Sequence, residues 1–147
     1  PESEVITSFI LSPVDNLPVL AHRPGQYLTL RLGLADGIEI KRNYSISCAP
    51  NNQDYRISVK LEPNGQGGSR FLHEATEIGD IIEIPPPAGD FYLPDEPERP
   101  VVLLSAGVGL TPMVSILETI GMHYPQDCPS AWQHVCRHVL QCPGPPG

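Results

Sequence analysis

The residues best suited to ligand chemistry are the four in the run Arg42-Asn43-Tyr44-Ser45, which close a β-like segment. Side chains two residues apart in a strand point to the same face, so Arg42 and Tyr44 can contact one ligand together. The Arg42 guanidinium can hold a phosphate through two hydrogen bonds, and the Tyr44 ring offers a flat surface for stacking. Ser45 adds a small donor and acceptor beside them. The alternative interpretation is an ordinary edge strand with a solvated arginine.

A second candidate is the glycine turn at residues 107–112, between an apolar run and a helical pattern. The wholly apolar residues 101–104 predict a buried parallel strand, and Thr111 and Pro112 predict an N-cap and an N1 proline. Strand, glycine turn and helix in this order favour nucleotide binding at the turn. The candidate binding residues are Gly107, Val108, Gly109, Leu110, Thr111 and Pro112.

The glycine turn departs from the usual dinucleotide fingerprint in two respects. Pro112 stands where Gly or Ala is expected, and Asp127 alone lies near the position of an acidic ribose partner. A tight turn without a ligand is therefore the alternative interpretation.

Two shorter motifs add candidates. Tyr27 follows a Pro-Gly turn at the start of an alternating run, and Gly68 and Ser69 open a short helical pattern after a glycine-rich loop. Backbone N–H groups at a helix start favour anions, which makes Gly68 and Ser69 candidates for phosphate binding. A flexible hairpin loop explains the same glycines equally well.

The elements that must position these residues are mainly β. Alternating or β-branched runs separated by turn residues predict about six short antiparallel strands, at residues 5–11, 26–32, 43–47, 55–61, 81–84 and 91–93. Short strands with regular turns indicate a barrel or sandwich, and we expect a six-stranded antiparallel barrel over residues 1–98. One helix from Ser69 to about Glu77 is predicted within it, with Ser69 as its cap.

The pattern changes at the acidic, proline-rich stretch 95–100, which is typical of a linker. Residues 99–122 are predicted to begin an α/β nucleotide-binding domain, cut short because a complete one needs roughly 100 residues. Residues 123–147 are predicted to form an irregular tail. His134, Cys136, His138 and Cys142 match no structural zinc spacing, so we expect no metal there.

Composition bounds the function. The 147-residue chain has a formal charge of −8 and a pI near 4.9, which argues against nucleic-acid binding. The uncharged run 101–117 is too short and too rich in Gly and Pro for a membrane span, and we expect no leader peptide. The four cysteines form no disulfide framework, which favours a cytoplasmic location.

Taken together and in order, the motifs resemble the ferredoxin reductase-type flavoprotein superfamily, and in particular the reductase region of flavohaemoglobins, the nitric oxide dioxygenases. The resemblance covers residues 2 to about 122, so the chain looks C-terminally truncated. Its motifs are Ile6-Thr7-Ser8-Phe9, Pro24-Gly25-Gln26-Tyr27, Arg42-x-Tyr44-Ser45, Tyr55-Arg56-Ile57-Ser58-Val59-Lys60, Phe71-Leu72-His73, Gly79-Asp80, Pro87-Ala88-Gly89-Asp90-Phe91 and Ser105-Ala106-Gly107-Val108-Gly109-x-Thr111-Pro112-Met113.

The resemblance implies an FAD-binding barrel followed by an NAD(P)H domain. By that resemblance Tyr27 and residues 42–45 hold FAD: the arginine meets the pyrophosphate, Tyr44 stacks on the flavin, and Ser45 lies near its reactive nitrogen. Tyr44 and Ser45 are thus the implied catalytic residues, and the turn at 107–112 holds NAD(P)H. Electrons then pass to a globin haem, or another acceptor, for nitric oxide dioxygenation.

The chain departs from the resemblance in ways that bear on activity. We expect no globin domain in it, the loop 63–69 is longer and richer in glycine than usual, and the later strands of the nucleotide domain are not recognisable. The chain alone is therefore expected to be an incomplete enzyme. The alternatives are an inactive fragment that binds FAD or a protein partner, and the reductase component of an oxygenase.

Overall fold

The computed structural model describes residues 2–33, 37–65, 67–95 and 101–123, and the fold is mainly β with few helices. The strands are β1 (Ile6–Leu11), β2 (Tyr27–Gly33), β3 (Glu39–Ser45) and β4 (Tyr55–Lys60). A short helix, α1 (Gly68–Arg70), continues as a π-helical turn (Phe71–Ala75); a 3-10 turn (Gly107–Gly109) leads into the longer helix α2 (Leu110–His123).

The four strands form two antiparallel pairs. β1 pairs with β4 so that Ile6 lies opposite Lys60, and β2 pairs with β3 so that Tyr27 lies opposite Ser45. An isolated bridge between Ile46 and Ile57 links the two pairs just beyond the end of β3. The four runs predicted at the start of the chain are thus strands, although β3 begins at Glu39, four residues before its predicted start at Asn43.

The two later predicted strands are not formed. Residues 81–84 and 91–93 are irregular; Glu83 makes one isolated bridge to Arg31, and Ala88 makes another to Tyr27. The three consecutive prolines at 85–87 lack the N–H groups that a continuous ladder needs, which explains why pairing is limited to single bridges. Within the described residues, short sheets take the place of a six-stranded barrel.

The main core lies between the two strand pairs. The alternation of β2 turns Leu28, Leu30 and Leu32 inward, and that of β4 does the same for Ile57 and Val59. Ile46, Cys48, Tyr55 and Leu72 complete this cluster of buried residues. A smaller cluster of Leu93, Ile116 and Ile120 packs α2 against the described residues up to 95, which are called the β region below.

Helix α1 begins differently from the prediction. Its N-cap is Gly67, at φ 93°, and no side chain caps it, so the assignment of Ser69 as the cap is wrong. The helix ends at Ala75 rather than Glu77. Ser69 instead uses its hydroxyl to accept the backbone N–H of Glu62 at 3.1 Å, which fastens the preceding loop to the helix.

The segment before α2 also differs from the prediction. Residues 101–104 form no strand: Val101 and Leu103 pack on the smaller cluster, while Val102 and Leu104 are 77% and 83% exposed. No described strand lies alongside to pair with this segment, and an apolar run cannot form a parallel strand by itself. Helix α2 begins at Leu110, so Thr111 and Pro112 are its second and third residues, and their assignment as the N-cap and N1 is wrong.

The predicted domain boundary at residues 98 and 99 and the tail beyond residue 123 lie outside the described residues. Among the helices that are described, none is long and apolar enough to cross a membrane.

Candidate functional site

Strand β3 presents Arg42 and Tyr44 on one face, as the sequence predicts. Exposure alternates along the strand: Lys41 and Asn43 are exposed, whereas Arg42 and Tyr44 are half-buried. The Arg42 guanidinium donates to the Lys41 carbonyl at 2.8 Å. The opposite orientation of Asn43 is fixed by Thr29, whose hydroxyl donates to the Asn43 amide oxygen at 2.8 Å.

Gly68 lies directly against the two half-buried side chains. A Cβ placed on Gly68 would come within 2.8 Å of Arg42 Cγ and 3.2 Å of the Tyr44 hydroxyl oxygen. A larger residue would therefore have to displace Arg42 or Tyr44. The glycine-rich loop thus has a steric purpose that the sequence did not reveal, since it lets the start of α1 approach β3.

Burial makes the Tyr44 phenol harder to ionise. It raises the pKa of Tyr44 above its usual value, and the positive charge of Arg42 opposes this with a smaller effect. At neutral pH Tyr44 is therefore a protonated, half-buried aromatic side chain, suited to stacking and to donating one hydrogen bond.

Tyr27 lies opposite Ser45 at the neighbouring end of β2. Its backbone exchanges two hydrogen bonds with Ala88, at 2.9 and 3.0 Å. A Cβ on Gly89, which has φ 114°, would approach the Tyr27 ring to 2.9 Å. Tyr27 is thus held on the segment 87–89 and does not line the cavity that contains Tyr44 and Ser45.

The glycine turn is compact and irregular. Gly107 has φ 56°, a backbone conformation that residues other than glycine rarely adopt. The Gly109 N–H donates to the Ala106 carbonyl at 3.1 Å, and the Thr111 hydroxyl donates to the Val108 carbonyl at 3.0 Å. A Cβ on Gly109 would meet nothing within 4 Å, so a side chain would have room at this position.

The two motifs that are far apart in sequence meet in one cavity of about 370 Å³. Its lining from the predicted set is Asn43, Tyr44, Ser45, Ser69, Val108, Gly109, Thr111 and Pro112. Arg42 and Gly68 adjoin this wall through Tyr44 but do not line the cavity itself. The sequence could not place β3 and the turn side by side, because only tertiary packing brings them together.

The same cavity contains residues that the sequence analysis did not select. Ser58, Val59 and Lys60 come from β4, and Lys60 forms an ion pair with Glu62 at 2.8 Å. The polar side of the β4 alternation was the available signal, since Ser58 and Lys60 share a face.

Gly107 and Leu110 line a second cavity of about 370 Å³ on the other side of Val108. Its polar wall is a chain of hydroxyls: Ser58 lies 2.8 Å from Ser8 and 2.9 Å from Ser47. Val108, Thr111 and Ser58 belong to both cavities, so the glycine turn separates two hollows.

No group of His, Cys, Asp and Glu side chains in the described part of the chain is arranged to hold a metal ion. The Cys/His-rich segment lies outside that part, and its metal-free state stays a prediction. Cys48 is a buried free thiol, and burial raises its pKa.

Two flavohemoproteins are similar to this chain in sequence. The chain is 59% identical over 125 residues to a flavohemoprotein of Xylella fastidiosa and 50% identical over 137 residues to one of Pseudomonas aeruginosa. These alignments cover 85% and 93% of this chain, but 31% and 33% of the relatives, so the chain spans about a third of their length.

Among solved structures, the FAD/NAD-binding domain of nitric oxide dioxygenase from Vibrio cholerae superposes with a TM-score of 0.78 at 38% identity. The match covers 95% of this chain and 65% of that one. The family model for the oxidoreductase FAD-binding domain matches residues 3–92, which include β1 to β4 and the whole of α1. The chain therefore belongs to the oxidoreductase FAD-binding domain family.

Proposed function

We propose that this chain is the FAD-binding part of a flavohaemoglobin-type oxidoreductase that takes electrons from NAD(P)H. The observation that carries the proposal is the shared cavity, in which Tyr44 and Ser45 face Gly109 and Thr111 of the glycine turn. A site for hydride transfer needs two ligands held in contact, and one cavity with two distinct ligand-binding walls meets that need.

The described residues fit FAD. Tyr44 is the neutral stacking surface, Arg42 supplies the charge for the pyrophosphate, and Gly68 lets the start of α1 approach both side chains closely. Ser45 and Ser69 offer polar groups beside Tyr44, Asn43 lines the cavity from the same strand, and Tyr27 supports this wall from β2. We propose that the two strand pairs and the bridged segments at Glu83 and Ala88 are the barrel that carries these side chains.

When bound, FAD supplies the capacity to accept a hydride and release single electrons. The chain's own contribution is to orient the ring and to keep the tyrosine protonated. Tyr44 and Ser45 are the proposed catalytic residues because they line the cavity where the ring would lie. The residues of the glycine turn, Gly107, Val108, Gly109, Leu110, Thr111 and Pro112, are the proposed contacts for NAD(P)H.

In the complete protein we propose that electrons continue to a globin haem, where nitric oxide and oxygen become nitrate. The support is the identity of 50–59% to flavohemoproteins over most of this chain. A cytoplasmic location is part of the same proposal and rests on the cysteine spacing.

The proposal is tested by anaerobic stopped-flow mixing of the FAD-loaded chain with NADH or NADPH, followed by loss of flavin absorbance. We expect slow bleaching from the 147-residue chain and fast bleaching from a version extended by a relative's remaining nucleotide domain. If the extended version binds FAD but is not bleached by either nucleotide, the reductase assignment is wrong and a non-catalytic flavin-binding role replaces it.

A further inference from the structure

Helix α2 is attached to the β region by polar contacts as well as by its apolar face. The Ser115 hydroxyl, at 0% exposure, donates to the Cys48 carbonyl at 2.7 Å. One turn further along, a carboxylate oxygen of Glu118 accepts the Ala49 backbone N–H at 2.9 Å. Two consecutive residues after β3 are thus fixed by two residues on one face of α2.

Arg56 of β4 completes the connection. Its guanidinium pairs with the other Glu118 carboxylate oxygen at 2.5 Å and also donates to the Ser47 carbonyl, with Nε at 3.0 Å. The side chains of Arg56 and Glu118 are 29% and 35% exposed, so the pair is largely shielded from solvent. The Glu118 carboxylate therefore joins three elements: α2, β4 and the segment 47–49.

The segment 47–49 is held from its other side as well. His22 is buried, and its Nε2 lies 3.1 Å from the same Cys48 carbonyl that accepts Ser115. Since a carbonyl oxygen can only accept, Nε2 carries the proton in this contact. The segment is therefore a fixed anchor to which α2 is fastened, rather than a free loop.

These contacts lie close to both walls of the shared cavity. Residues 47–49 follow Ser45 by two to four positions, and Ser115 and Glu118 follow Thr111 by four and seven positions along α2. At about 1.5 Å of rise per residue, Ser115 is only ~6 Å along the helix from Thr111. A rotation or shift of α2 at the anchor is thus transmitted directly to Gly109 and Thr111.

We propose that Glu118 is a positioning residue that sets the spacing between the Tyr44–Ser45 wall and the glycine turn. This inference rests on the proposed function, because the spacing matters only if two ligands meet in the cavity. Misplacement of reacting groups by about 1 Å can slow a reaction ~100-fold, so a fixed connection between the walls has a clear use. Ser115 supports it with a neutral hydrogen bond.

The test measures how α2 is placed relative to the β2–β3 pair, without relying on FAD. Spin labels are placed in the full chain through Gly33→Cys, at the far end of β2, and Met122→Cys, where the side chain is 67% exposed. The labelled background also carries Ser at the sites of Cys128, Cys136 and Cys142. We expect one narrow distance distribution for this parent and a broader or shifted one for Glu118→Ala.

Two variants separate positioning from general damage. Glu118→Gln keeps an oxygen that can accept the Ala49 N–H, so we expect it to restore much of the parent distribution. Glu77→Ala removes an exposed carboxylate elsewhere and should change nothing. FAD affinity, measured by quenching of flavin fluorescence, should stay within about twofold in all three, since neither Glu118 nor Glu77 is among the proposed FAD contacts.

An unchanged distance distribution in Glu118→Ala would overturn the proposal. A Glu118→Gln variant that is as broad as Glu118→Ala would still support the proposal and would assign the positioning to the ion pair with Arg56. If Glu118→Ala weakens FAD binding and also alters the distance distribution, Glu118 supports the flavin site itself and the inference is wrong. Failure of the parent to bind FAD would instead refute the proposed function and leave the distance result standing.

Discussion

The β region and helix α2 with its preceding segment differ in the interactions that stabilise each of them. Leu28 and Leu30 are fully buried within a cluster that draws on all of β2 and β4. The cluster at α2 has three buried apolar residues, while Val102 and Leu104 in the preceding segment are 77% and 83% exposed. Polar contacts from Ser115 and Glu118 add to the attachment of α2.

The difference follows from the partners that each region needs. Each of the four antiparallel strands finds its partner within the β region: β2 pairs with β3 across a short connection, and β1 pairs with β4. A wholly apolar parallel strand needs neighbours on both sides and a covering helix on each face. The β region therefore has its own hydrophobic core, whereas α2 is stabilised by its contacts with the β region.

The largest effect on the free energy of unfolding is expected in the core of the β region. Leu30→Ala should lower the free energy of unfolding by about 2–5 kcal/mol, because it leaves a cavity in a fully buried site. Ile116→Ala, in the smaller cluster, should cost no more than the low end of that range. Urea unfolding followed by circular dichroism measures both, and an equal or larger loss for Ile116→Ala would contradict the contrast.

Flavin binding should depend on β3 more than on α2. Arg42→Ala should weaken FAD binding by roughly 1.5–3 kcal/mol if a charge-assisted phosphate contact is lost. Tyr44→Ala should also reduce retention, because the stacking surface is removed. Titration calorimetry with FAD measures the change, and Arg23→Ala, at an exposed arginine over the Tyr92 ring, is the matched control. Parent-like binding by both β3 variants would refute these assignments.

A glycine pair sharpens the same comparison by sterics alone. Gly68→Ala should weaken FAD binding by about 1–3 kcal/mol, because its methyl group would push Arg42 or Tyr44 from place. Gly121→Ala, within α2, meets nothing within 4 Å and should leave FAD binding unchanged. Its helix propensity should rather stabilise the chain by up to about 1 kcal/mol. Equal effects of the two variants on FAD affinity would show that Gly68 has no special place beside β3.

The smallest expected effect is a pH dependence at the anchor. Burial lowers the pKa of His22 below its usual value of about 6.5, with the Cys48 carbonyl opposing this more weakly. The unfolded chain then binds the proton more readily, so His22's contribution to stability is complete above about pH 6.5 and declines as pH falls below it. Urea midpoints measured between neutral and mildly acidic pH should show this slope, and His22→Gln should flatten it. An unchanged slope in His22→Gln would assign the dependence to other groups.

The sequence predicted the parts of the molecule that obey local rules. The alternation at β2 and β4 indicated both strands and their buried faces, and the two-residue period placed Arg42 and Tyr44 together. The resemblance identified the family, which the match to residues 3–92 confirms. The glycine turn before an apolar helix was also recognisable.

The features that the sequence missed depend on tertiary contacts. Ser69 has a good capping side chain, but the approach of Gly68 to β3 puts Gly67 at the cap instead. Residues 101–104 have the composition of a parallel strand but no described neighbour with which to pair. Arg56 pairs with Glu118, 62 positions away, and Ser115 donates to Cys48, 67 positions away, so no local sequence pattern predicts either contact.

Equilibrium dialysis of the purified 147-residue chain against FAD tests the central claim most directly, because the shared cavity and its Tyr44 wall are proposed to hold this cofactor. The account predicts saturable binding at one FAD per chain, with the midpoint shifted to higher FAD concentration by Tyr44→Ala. Absence of saturable binding, or saturation that is unaffected by both Arg42→Ala and Tyr44→Ala, would contradict it.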